Sequence, residues 1–434
     1  MGSPPRPDPP TRSPMSTLTQ NTRLVGDPPQ AAAEPPLDAR PSRLPRQWPG
    51  ALRHAAPALA GYAAIRAVSL ALFTAWGAWR AVPVWHRMGT LWDATAYLRI
   101  AARGYPEALP TPDAHGHRYS DLAYFPLYPM SVKAVHAALP VSVPWAALLV
   151  AWVSAGAAAC GIFAVAAHLY GRRTGVAAAL EWAALPHAVV ANLAYTEALF
   201  AALTAWALYA VLTRSWLWAG GLSSAACLTR PTGIAVAAAV AAAAAGQLWR
   251  RRHGQAVPWW LRRQPRFRWR PVLGAVIAPL GWFGFVGWVG HRLGRWDGYF
   301  AVQLAWNSHF DFGVTTAEQV FQVLRNPMAC GISAIAVTVV LLAAVVLFGY
   351  CCTEGQPAVL LVFSAAMLTI TLGDAGAFLS RARFLLPVFP LLLPLATTAA
   401  QARSRLAAGL AVGAATVISA GLGLYLTFNS ASSL

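Results

Sequence analysis

The chain has 434 residues, 57% hydrophobic and 11% charged, with a formal net charge of +18. An ordinary soluble domain carries about 25% charged residues, so that class is excluded, and repeated apolar runs of about 20 residues point to a polytopic helical membrane protein. Period-two alternation is absent, which argues against a transmembrane barrel. The arginine excess fits the cytoplasmic loops of a membrane protein better than a nucleic-acid surface.

Residues 1–53 are rich in Pro, Arg, Ser and Asp, with seven arginines against four acids. With no apolar run to bury, this stretch is expected to be a disordered cytoplasmic tail, and it lacks the apolar core of a signal peptide. Residues 54–434 read as one transmembrane domain. The first span, Ala55 to Val82, contains Arg66, which costs about 3 kcal/mol at the bilayer centre unless it faces protein or water.

The loop from Trp85 to Pro140 follows, on the external side. It gathers Asp93, Arg99, Arg103, His117, Arg118 and Asp121 among aromatic residues, and its YLRIAARGY portion has the helical spacing of an interfacial segment. A second span, Val141 to Tyr170, returns to the basic turn GRRTG. The next 39 residues, Gly175 to Thr213, exceed one helix and contain Pro186 and the cluster Asn192, Tyr195, Thr196, Glu197. They split into an outward and a returning helix, with YTE at the outer surface.

Trp216 to Gly246 carries LTRPTG in its middle. Two short helices turning at Arg230-Pro231 keep the following eight arginines, between Arg250 and Arg270, inside, as the positive-inside rule prefers. Pro231 also disfavours helical geometry at Arg230. An outward span then runs from Pro271 to about His291. A second external loop covers Gly294 to Pro327, and spans near 329–349 and 356–373 come next. The external turn GDAGAFLSRARF leads to a span near 384–400, and a last span ends near Asn429. The expectation is an all-α helical bundle of about eleven transmembrane helices with a long first external loop. Asp93, His117, Asp121, Glu197, Arg230, Arg381 and Arg383 all fall on its external side.

Each polar residue there has two readings. A partly desolvated carboxylate at Asp93 suits a general base, or it caps the helix that follows. Arg230, Arg381 and Arg383 run against the positive-inside trend, either to hold an anionic phosphate or to snorkel to headgroups. Glu197 either pairs one of these arginines or acts directly. Trp92, Tyr124, Phe125 and Tyr128 suit stacking on a sugar ring or anchoring at the interface. Asp113, His115 and His117 are too loosely spaced for a metal site. The five cysteines, Cys160, Cys227, Cys330, Cys351 and Cys352, have neither zinc spacing nor a disulfide pattern.

WDATAYLRIAARGY, then AYFPLYP, YTEALFA, TRPTG and SRARFLLPVFP resemble, in that order, the family of the second mannosyltransferase of GPI-anchor synthesis and its actinobacterial relatives. Those are polytopic glycosyltransferases of the GT-C class, and the resemblance covers about Ala55 to Phe428. It implies a GT-C-like bundle and mannosyl transfer, with inversion, from polyprenyl-phosphate-mannose to a glycolipid or glycan at the external face of the cell membrane. Asp93 matches the family's acidic residue in the first external loop and takes the role of base. The candidates for substrate binding are Trp92, His117, Asp121, Tyr124, Glu197, Arg230, Arg381 and Arg383, and the positive charge that the lipid phosphate needs would come from Arg230 or from the pair Arg381 and Arg383. No cofactor or metal is implied, and membrane lipids rather than nucleic acid are the other partners. An adjacent Asp-Glu pair is absent from the first loop, which argues against a protein acceptor. The competing readings are transfer of another polyprenyl-linked sugar, a transporter, and a non-catalytic partner subunit. A transporter more often shows repeated halves with charges at the midplane, and no internal repeat is seen here.

Overall fold

The computed structural model describes residue 2 and residues 48–109, 119–253, 269–306, 308–376 and 378–429. The chain divides into two units, Met1–Arg40 and Pro41–Leu434, and the elements below belong to the second. The expected tail falls mostly outside the described residues, although helix α1 (Trp48–Arg80) takes in its last few.

The first loop is itself largely helical: α2 (Val84–Thr90), α3 (Asp93–Arg103), a 3-10 turn at Asp121–Ala123 and α4 (Leu127–Ala138). The long α5 (Val143–Tyr170) begins with Pro144 in its first turn, where a missing N–H costs nothing. It is followed by α6 (Arg172–Ala183), a non-helical stretch with a 3-10 turn at Ala188–Asn192, and α7 (Glu197–Leu212). Next come α8 (Trp216–Cys227) and α9 (Ile234–Arg252), separated at Arg230 and Pro231, then α10 (Arg270–Ile277) and α11 (Leu280–Arg292). The second loop holds α12 (Gly298–Ala305) and α13 (Val314–Arg325), and α14 (Pro327–Thr353) and α15 (Ala358–Gly373) follow. The one-turn α16 (Arg381–Phe384), α17 (Leu393–Gln401) and α18 (Arg405–Leu424) complete the order.

Among the described residues, six helical segments are long and apolar enough to cross a membrane: 53–80, 143–170, 231–250, 270–292, 327–353 and 406–428. The pair Phe378–Phe384 and Phe389–Gln401, bent by 72°, makes a seventh if counted as one span. The protein is a multi-pass, all-helical membrane protein. Of the eleven expected segments, those corresponding to α6, α7, α8 and α15 form helices of 12, 16, 12 and 16 residues, short of the ~20 that a full crossing needs.

The core is built from small residues. Ala155, Ala158, Ala159, Ala166, Ala201 and Ala205 are buried where α5 meets its neighbours, and close backbone approach of this kind drives helix association in lipid. Gly220 and Gly274 carry it furthest. A Cβ on Gly220 would sit 2.6 Å from the Gly274 carbonyl oxygen, and one on Gly274 would sit 2.5 Å from that of Trp216.

Arg66 faces protein rather than lipid. Its Nη1 donates to the Ala188 carbonyl at 2.7 Å and contacts Asn192 Oδ1 at 3.5 Å, while Nη2 donates to the carbonyl of Ala183. Ala183 is the last residue of α6, so a cation of the first span satisfies the negative end of a broken helix. This contact shapes the linker that leads to Glu197.

Candidate active site

Four interruptions of the helical pattern meet at one place. Asp93 is the first residue of α3 and Glu197 the first of α7. Arg230 has extended backbone between α8 and α9, and Arg383 lies on α16, inside the bent pair. Carboxylates are favoured at helix N-termini, and chain breaks bring side chains inward that a continuous span would aim at lipid.

Arg383 is the hub. Its Nη2 donates to Asp93 Oδ2 at 2.6 Å, and its Nε lies 3.6 Å from Glu197 Oε1. Arg230 Nη1 forms a second ion pair with the same Glu197 oxygen at 2.6 Å. Two arginines, Arg383 buried and Arg230 nearly so, thus share two carboxylates, and the formal charge closes to zero. The Arg383 guanidinium also lies over the rings of Tyr195 and Phe384, at 5.1 and 5.2 Å, and Arg230 lies over Phe384 at 4.7 Å. Aromatic faces favour a cation at this range. Arg383 Nη1 is buried and has no acceptor among the described residues, which leaves a strong donor in want of an oxygen.

The two acids differ in access. The Asp93 side chain is 24% exposed and that of Glu197 only 2%. Asp93 Oδ1 faces the Tyr124 hydroxyl at 3.4 Å, a long contact for an O–H donor. Burial and the Asp93 carboxylate push the Tyr124 phenol up, so it stays protonated and able to donate. Of the two Asp93 oxygens, Oδ1 is therefore the more weakly engaged.

The amphipathic pattern of α3 fixes this geometry. Ala94, Tyr97, Ile100 and Ala101 are buried, while Arg99 and Arg103 are exposed. Tyr97 packs edge-on against Tyr124 and Tyr128, both with ring centroids at 5.1 Å, and its hydroxyl lies 3.3 Å from Thr196 Oγ1, tying α3 to the residue before Glu197. Trp92, which enters α3, has φ 46° and ψ −114°, a backbone conformation that favours glycine. Its half-buried ring packs against the cluster containing Tyr97 and Tyr195.

Other candidates lie apart. Asp121 accepts from Arg99 Nε at 3.0 Å and Nη2 at 2.6 Å, a partly exposed pair that braces the first loop. Arg381, two positions from Arg383, instead donates to Thr316 Oγ1 and to the carbonyls of Asp374 and Gly376. There the second loop is clasped to the turn after α15: Asp311 N–H donates to the Gly373 carbonyl at 2.9 Å, and Ala375 N–H to that of His309 at 2.9 Å. His117 lies outside the described residues, as do Asp113 and His115. Among the described residues, no three His, Cys, Asp or Glu side chains are grouped to hold a metal ion.

Among solved structures, the chain overlaps with ArnT from Cupriavidus metallidurans bound to undecaprenyl phosphate, at 16% identity and a TM-score of 0.46, over 73% of this chain and 56% of that one. It overlaps with the apo oligosaccharyltransferase of Archaeoglobus fulgidus at 12% identity and a TM-score of 0.45, over 87% and 57%. For AglB from the same organism, in complex with an inhibitory peptide and a dolichol-phosphate, the values are 13% and 0.41, over 79% and 51%. The chain spans about half the length of these structures. No family profile and no curated protein matches it.

Two residues of the site had no signal of their own in the sequence. Tyr97 and Phe384 look like core aromatics of helices, and the adjacency of Phe384 to Arg383 is the only hint of its place. Tyr195, by contrast, stands in the polar cluster with Glu197. Trp306, at the end of α12, meets Tyr119 at 4.6 Å and Tyr124 at 5.9 Å, which brings the second loop to within one side chain of Asp93.

Proposed function

We propose that this protein is an integral-membrane glycosyltransferase of the GT-C class, transferring mannose from polyprenyl-phosphate-mannose to a hydroxyl of a glycolipid or glycan acceptor. One observation carries the reading: an accessible carboxylate, Asp93, held through one oxygen by a buried arginine that keeps a free donor. The order of motifs from WDATAY to SRARF supports the same class.

In this reading the acceptor hydroxyl seats on Asp93 Oδ1, beside Tyr124. Its oxygen attacks the anomeric carbon of the lipid-linked sugar from the side opposite the phosphate, and its proton passes to Asp93. The anomeric carbon–oxygen bond breaks, with inversion, and polyprenyl phosphate leaves with the bonding electrons. The negative charge that grows on the leaving phosphate needs fixed donors. We assign that role to Arg383 Nη1, a donor without a partner among the described residues, and Arg230 adds positive charge. Glu197, buried between both arginines, positions them. The positive-inside pattern supports an external site in the cell membrane, with residues 1–53 on the cytoplasmic side.

The test uses membranes from cells expressing the wild type or Asp93→Asn at equal abundance. Both receive radiolabelled polyprenyl-phosphate-mannose and a lipid extract. Label entering a new glycolipid only with the wild type supports the reading. Transfer that persists in the variant moves the base elsewhere. No transfer by either, with other polyprenyl-linked sugars tried as well, removes the enzyme reading.

A further inference from the structure

Helix α13 has three distinct sides. Thr316 and Val323 are buried. Glu318, Gln322 and Arg325 form an exposed polar edge. Between these, Val314, Ala317, Phe321 and Leu324 are all exposed, at spacings of three and four that line one helical face. Phe321 and Leu324 are each 62% exposed, so this apolar stripe is not part of the protein's core.

The stripe leads into a span. Only Asn326 separates α13 from α14, whose backbone breaks once at Gly331 before the membrane-crossing run, and exposed apolar side chains flank that break at Met328 and Ile332 and go on at Val339 and Val346. The apolar face of α13 therefore lies within a few residues of the exposed apolar surface of a span. A surface made for a second protein copy has no need to adjoin a span in this way. We infer that α13 is seated in the bilayer through Val314, Phe321 and Leu324, with its polar edge in the headgroup region. Amphipathic helices of this kind bury their apolar face about 5–10 Å into that boundary.

The seat has a structural consequence. The buried side of α13 carries Thr316, whose hydroxyl donates to the Leu372 carbonyl and accepts from Arg381. At the start of the helix, Asp311 accepts from the N–H groups of Gly313 and Thr315, both at 2.9 Å. A lipid-seated α13 thus fixes the depth of the turn that holds Arg381, whatever reaction the protein performs.

The experiment uses the full chain in liposomes. Phe321→Cys and, separately, Gln322→Cys are made with the five native cysteines replaced, and each carries an environment-sensitive fluorophore. The inference expects brominated acyl chains to quench the probe at 321 at least about twofold more than aqueous iodide does, with the reverse order at 322. Stronger quenching by iodide at 321, or protection from both quenchers, overturns it. Because replacing five cysteines risks the fold, a benzophenone-bearing residue at position 321 of the chain with native cysteines gives a second reading. Lipid adducts by mass spectrometry support the seat, whereas protein adducts or none overturn it.

Discussion

Arg383 Nη2 lies 2.6 Å from Asp93 Oδ2 across 290 positions of sequence. This ion pair joins the first loop to the turn inside the bent helix pair, so it brings together the proposed base and the cation proposed for the leaving phosphate. Such a charge-assisted bond is short and directional, and the second oxygen of Asp93 keeps only the long contact to Tyr124 among the described residues.

Replacing Asp93 with Asn keeps the shape and removes the proposed proton acceptor. Transfer is expected to fall by about 10²- to 10⁴-fold, the range for loss of a general base, with little change in protein level. The radiolabel assay measures it. A loss below about tenfold would mean that Asp93 positions Arg383 rather than accepting the proton.

Arg383→Lys and Arg383→Met separate charge from geometry. Lysine keeps the charge but lacks the fork that reaches both carboxylates, so it should retain the fold and lose most of the transfer. Methionine leaves two acids with one arginine, and breaking a buried pair in this way costs about 3–5 kcal/mol. Thermal unfolding of purified protein in detergent should rank wild type, then Lys, then Met. A methionine variant as stable as the wild type would show that the site is more hydrated than its burial suggests.

Glu197 and Arg230, 2.6 Å apart, are expected to couple. Glu197→Gln and Arg230→Gln should each destabilise, and the double variant should cost less than the sum by about 0.5–3 kcal/mol, as groups in direct contact do. Strict additivity in the same unfolding assay would show that the arginine relies on Phe384 instead of the acid.

The separation of apolar spans from polar breaks was legible because each followed from local composition. Arg230-Pro231 reads as a break since proline restricts the residue before it, and α8 and α9 do separate there. The YTE cluster reads as a turn, and Glu197 does begin a helix. One of the two readings of Glu197, a pairing with an external arginine, is what the structure shows with Arg230, but which arginine meets Asp93 was not legible. Nothing in SRARF distinguishes Arg381 from Arg383, yet on a helical turn residues two apart point in different directions. One meets Asp93, and the other meets backbone carbonyls and Thr316. The same limit applies to Arg66, whose burial against Ala183 and Ala188 depends on how α1 packs on α6.

Trp92 offers a test of backbone strain beside Asp93. At φ 46° and ψ −114°, any side chain crowds its own backbone, at a cost of about 1–3 kcal/mol. Trp92→Ala and Trp92→Gly lose the same ring contacts, but only glycine releases the strain. The glycine variant should match the alanine variant or exceed it by about 1 kcal/mol, opposite to the usual order. An alanine variant clearly more stable than glycine would rule out strain at this position.

Arg66→Met asks whether the linker to Glu197 depends on a cation in the first span. Removal of the guanidinium leaves the carbonyls of Ala183 and Ala188 without this donor, and each buried orphan costs about 1–3 kcal/mol. Relief from burying a charge opposes that loss, since an apolar replacement of a buried ion is often neutral. The carbonyls should decide the sign, because methionine offers them nothing and lipid offers no water. The variant is expected to unfold at lower temperature and to lose transfer along with folded protein, whereas Arg66→Lys, which keeps a donor within reach of one carbonyl, should fall between the two. If methionine proves neutral, the linker between α6 and α7 is held by its own packing, and Trp152, whose indole N–H donates to the Asn192 carbonyl at 3.2 Å, becomes the residue that sets the approach to Glu197.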